Sequence, residues 1–135
     1  MTIHNHTFYY LQQEESGNLL IFRWKEAHAN MSYEDFIEAC TNYVGYGFEY
    51  QSKKFLIDTS NFQFQIPEEF SSWKKEIHHP RYRKLGVERV AYLMPESALP
   101  YMKDVSKEEE GFEIRYFGKE KEARDWLAMA VTENV

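Results

Sequence analysis

The 135-residue chain predicts one α/β domain. Its expected architecture is a mostly parallel five-stranded sheet with an antiparallel edge strand from an N-terminal hairpin, flanked by about four helices. Three observations predict it. From residue 19 onward, apolar runs of strand length alternate with apolar stripes of helical spacing, which dictates parallel strands joined by right-handed helical crossovers. No repeat and no Gly/Pro/Ser-rich linker divides the chain, so residues 1–135 read as one unit. Finally, 43% hydrophobic residues supply a core, and a chain of this size buries about two-thirds of its surface without staples.

The hairpin comes first. Thr7–Leu11 and Leu19–Trp24 are rich in strand formers, and between them Gly17 and Asn18 can take positive φ. Leu20, Phe22 and Trp24 share one face and Leu19 and Ile21 the other, so this strand should be covered on both sides. His4 and His6 precede it in what reads as a frayed terminus, with no carboxylate or cysteine beside them to complete a metal site.

Ser32-Tyr33-Glu34-Asp35 is a capping box, with Met31 and Phe36 placed for a hydrophobic staple. The helix it opens carries Phe36, Ile37, Cys40, Tyr43 and Val44 as its core stripe, and Gly45 and Gly47 can end it. Lys53–Asp58 reads as a central strand. Pro67 suits a first helical position, followed by Phe70, Trp73 and Ile77 as the inward stripe, and Pro80 should stop or kink that helix near His79. Glu88–Met94 and Phe112–Phe117 are further strands around an irregular stretch from Glu96 to Gly111. Ala123, Trp126, Leu127, Ala130 and Val131 mark a closing helix.

Several function classes fall away. A net charge of −6 argues against wholesale nucleic-acid binding. No apolar run reaches the roughly 18 residues of a membrane helix. The N-terminal residues lack a signal-peptide pattern. A single cysteine, Cys40, cannot form an internal disulfide, so a cytoplasmic setting is expected. Cys40 lies on an apolar stripe without a cationic neighbour, which suits a structural thiol better than a nucleophile. Neither a P-loop nor a G-x-S-x-G elbow is present, and no cofactor is expected.

Charge and aromatic content carry more information. Lys74 to Arg89 holds six Lys/Arg and two acids, a local +4 against −10 elsewhere. Arg81, Arg83 and Lys84 are therefore candidate anion-binding residues, expected to give weak, salt-sensitive binding to an acidic partner or at most weak peripheral membrane contact. The bland reading of that segment is a solvated helix end, with His78 and His79 set against the helix dipole. Twenty-three aromatic side chains exceed ordinary core needs. In Asn61-Phe62-Gln63-Phe64-Gln65-Ile66, apolar and amide residues alternate just beyond a central strand, where open α/β sheets bind ligands. Phe62, Phe64 and Ile66 are the candidate contacts, and a lid over the protein's own core is the alternative.

The strand Phe55-Leu56-Ile57-Asp58, the later Trp73, the basic stretch into Val87–Tyr92 and the closing Lys121–Leu127 together resemble the small bacterial STAS/SEC14-like domains, related to the stage II sporulation anti-sigma-factor antagonist. The resemblance implies a non-enzymatic α/β module that binds an apolar or lipid-like ligand or a protein partner, including a second copy of itself. In that family a serine at the helix after the central strand is phosphorylated. Here Ser60 stands too early and Ser71 and Ser72 too late, so that switch is not carried over. The competing class is a small enzyme built on Asp58, with Arg89 or His79, although a strand-end Asp more often caps the turn that follows.

Overall fold

A computed structural model describes residues 1–14 and 18–129. Six strands form one mixed sheet, ordered in space as in sequence: β1 (Thr2–Asn5), β2 (Tyr9–Glu14), β3 (Leu19–Trp24), β4 (Lys54–Asp58), β5 (Arg89–Leu93) and β6 (Glu113–Phe117). The β1–β2 and β2–β3 pairings are antiparallel, and β3 to β6 run parallel. The expectation of five strands with one antiparallel edge is corrected to six strands with two antiparallel pairings, β2 alone running against the rest. The extra strand is β1, a polar edge whose four residues alternate too weakly to be read. It is not frayed: the His4 ring stacks on Tyr46 with centroids 5.0 Å apart, and His6 stacks on Tyr9 at 4.7 Å.

In the hairpin turn, Asn18 takes φ 51°, and Gly17 lies outside the described residues. Five helices follow: α1 (Tyr33–Tyr50), α2 (Phe70–Trp73), α3 (His79–Leu85), α4 (Lys107–Glu110) and α5 (Glu120–Ala128). The capping box of α1 is formed, with Asp35 N–H donating to Ser32 Oγ at 3.1 Å and Ser32 N–H to Asp35 Oδ2 at 2.9 Å.

Gly45 and Gly47 do not end α1, which runs to Tyr50. Gly47 is needed for close approach rather than for a stop: a Cβ there would lie 2.7 Å from the Phe55 ring. The helix ends at Gln51, held left-handed at φ 54°.

All four residues Leu19 to Phe22 are buried, so β3 is covered on both faces. One face, with Phe22, Phe55, Ile57 and Val90, packs under α1 and α3 in the larger core. The other, with Leu19, Ile21, Leu56 and Ala91, is covered by Ala123, Trp126 and Leu127 of α5. Ala130 and Val131, expected to extend that stripe, lie outside the described residues. Placing both crossover helices on one side is what right-handed connections require when parallel strands are added in chain order. No helix among the described residues is long and apolar enough to cross a membrane.

Candidate ligand-binding cavity

At the carboxyl ends of β3 to β6, on the α1 side, the core opens into a cavity of about 340 Å³. Strand alternation aims Phe22 and Trp24 of β3, Ile57 of β4, Tyr92 of β5 and Tyr116 of β6 at it. Phe36, Cys40 and Tyr43 reach it from one face of α1, at spacings of four and three. Phe62 and Ile66 enter from the loop after β4, and Ala98 and Met102 from the turn after β5. The volume falls at the small end of the range for ligand sites, at the sheet edge where open α/β folds place them.

A π-helical turn, Lys74–His78, joins α2 to α3 and forms the cavity's last wall. Pro80 explains it: proline has no N–H for the α ladder, and its ring crowds the carbonyl four residues back. The helix instead closes a wider turn, with His79 N–H donating to Lys74 O, and continues through Pro80 to Leu85. Of the expected stop or kink near His79, there is no stop: the irregularity takes the form of the widened turn. The reading of the two histidines as solvated cations is corrected: His78 and His79 are buried, and Ile77 points outward at 49% exposure. Such π turns recur at functional sites.

Tyr43, His78 and Tyr82 form a polar cluster at the cavity wall. Tyr43 Oη lies 2.9 Å from His78 Nε2 and shares a short hydrogen bond with the Tyr82 hydroxyl. Burial, with smaller electrostatic contributions from His79, Arg81 and Lys74, pushes the His78 pKa down to about 3. Burial also raises the phenols of Tyr43, Tyr82 and Tyr92 well above their ordinary value. The Cys40 thiol is pushed up in the same way. Every shift favours the uncharged form, as apolar walls demand.

Of the residues singled out in the sequence, Phe62 and Ile66 line the cavity. Phe64 packs behind them on Phe36, ring centroids 5.3 Å apart. Phe62 stacks on His28 at 5.1 Å and 12°. His28 ties the loop down by accepting from the Gln63 N–H at 2.8 Å while its Nδ1 lies 2.7 Å from Lys25 O. The loop is thus partly a lid and partly a cavity wall.

The basic segment is dispersed. Arg81 donates to Thr41 O at 3.0 Å, Arg83 pairs with Glu110 at 3.5 Å, and Lys84 is exposed. Arg89 is buried, donating to the carbonyls of Trp126 (2.6 Å) and Met129 (3.1 Å) at the end of α5. Asp58 lies on the opposite sheet face, 2.8 Å from Arg23, and caps the turn by accepting from Ser60 Oγ at 2.6 Å. His79 contacts Glu110 at 2.6 Å on the α1 side. Asp58, Arg89 and His79 are therefore not brought together.

Lys74, Tyr43, Tyr82, His78 and His28 were not read as site residues. Tyr43 was visible only as one more member of a core stripe. The phase of His78 depends on a π turn that simple helical periodicity does not anticipate. Among the described residues no cluster of His, Cys, Asp or Glu could hold a metal ion. Comparison with protein families, curated proteins and solved structures found no significant match.

Proposed function

We propose that the protein is a non-enzymatic binding module whose cavity takes a small apolar or lipid-like ligand, in keeping with its resemblance to STAS/SEC14-like domains. One observation carries the reading: the cavity combines apolar walls with a buried imidazole, thiol and phenols that burial holds in their neutral forms. General acid–base catalysis needs groups poised near the working pH, whereas an imidazole pushed down to about 3 and phenols pushed upward offer only hydrogen bonds. The rim supports entry from solvent, because Ile66 (46% exposed), Met102 (36%) and the adjoining Tyr101 (88%) leave apolar surface uncovered there.

The test is a titration with the neutral fluorophore N-phenyl-1-naphthylamine. Ala98→Trp, at the half-buried rim, fills the cavity from its mouth without opening the core. Wild type should bind with micromolar Kd and enhanced emission, and Ala98→Trp should lose that signal at unchanged Tm. Equal emission from both proteins, or none from wild type, would overturn the reading.

A further inference from the structure

Resting on that reading of the cavity, we propose that its ligand is a monoanionic amphiphile, an apolar body ending in one carboxylate held by Lys74 and His78. Lys74 is the only Lys, Arg, Asp or Glu among the cavity's described lining residues. Its ammonium sits 5.8 Å from the centroid of the Phe70 ring and forms no ion pair with a described residue. A lone cation beside apolar walls attracts an anion and repels a cationic head group, and the low local dielectric strengthens both effects.

A second observation is independent of charge. Among the described residues, His78 Nδ1 is the one buried side-chain nitrogen or oxygen without a hydrogen-bond partner. His78 follows Lys74 by four residues on the same cavity wall. Tyr43 Oη pairs with His78 Nε2, and with the hydroxyl as donor the neutral imidazole carries its proton on Nδ1, from which a carboxylate oxygen can accept. An ammonium and an N–H one turn apart suit a single carboxylate. A phosphate monoester would bring a second charge that no other cation among the described lining residues meets. An uncharged ligand would leave the Lys74 ammonium unmatched.

Calorimetric titration with octanoate, octan-1-ol and octylamine tests the charge on a matched chain. Wild type should bind octanoate about tenfold more tightly than octanol, a gap of about 1.4 kcal/mol, and octylamine least. Lys74→Met should bring octanoate to the affinity of octanol and leave octanol unchanged, while Lys74→Arg should keep the preference. In long-range ¹H–¹⁵N spectra, His78 Nδ1 should shift with octanoate and not with octanol. Equal binding of acid and alcohol, tighter binding of the amine, or an octanoate preference that survives Lys74→Met would overturn the charge assignment and leave the cavity reading standing. A His78 signal unmoved by bound octanoate would remove His78 from the site. If none of the three probes binds, the cavity reading itself falls.

Discussion

Phe62 is held by rings on three sides: Trp24 at 5.3 Å, His28 at 5.1 Å and Phe36 at 6.0 Å between centroids. It is only half-buried, so truncation should cost less than the 3–5 kcal/mol of a fully enclosed phenylalanine. We expect Phe62→Ala to lose about 2 kcal/mol in urea unfolding, with Phe64→Ala losing less. Phe62→Ser with Phe64→Ser should weaken ligand binding in a protein that still folds; global unfolding of that double variant would make the loop a purely structural lid. Besides stacking on Phe62, His28 makes a hydrogen bond to the loop at Gln63. His28→Ala should therefore speed amide exchange at Gln63 far more than at the β3 and β4 amides.

At the scale of elements, α1 shows how a residue can serve packing against its own propensity. Alanine is the better helix former, yet Gly47→Ala should destabilise by about 1–3 kcal/mol, because the added methyl meets the buried Phe55 ring. At the helix end the sign reverses: Gln51→Gly should raise stability by about 0.5–1 kcal/mol by relieving the left-handed backbone, checked by the urea midpoint. Much of the architecture was legible where one local rule dominated. The Ser32–Asp35 box marked the start of α1 correctly, and the apolar runs placed β3 and β4 to within a residue. What failed to show was set by contacts distant in sequence. Gly47 reads as a stop until Phe55 is seen beneath it, Arg89 reads as surface charge until the α5 carbonyls are seen around it, and β1 has meaning only beside β2. The aromatic loop was visible as part of the site. The Lys74–His78 wall was not, since Pro80 shifts the helix register by forcing a wider turn.

For the molecule as a whole, two sets of groups make the fold acid-sensitive. The unfolded chain protonates His78 near pH 6.5, while the folded protein resists until about 3, so the unfolded state binds more protons between those values. The His78 contribution is complete above pH 6.5 and drains as pH falls, at up to about 1.4 kcal/mol per pH unit; His79, also lowered by burial, acts in the same direction. Glu120, held down to about 2 chiefly by Arg23, adds a contribution present above the ordinary carboxylate range and lost as pH falls through 2. Urea midpoints should thus decline from pH 6.5 downward, and His78→Phe should flatten the curve between 6.5 and 4 while leaving the steeper fall below 4. The order of the sheet bears on how the protein is made. Each strand pairs with the one translated just before it, so the sheet can grow strand by strand as the nascent chain leaves the ribosome. The face bearing Leu19, Ile21, Leu56 and Ala91 must wait for α5 to be synthesised and for Arg89 to grip its last carbonyls. Until then the growing polypeptide displays a bare apolar sheet, and a holdase chaperone should meet it there.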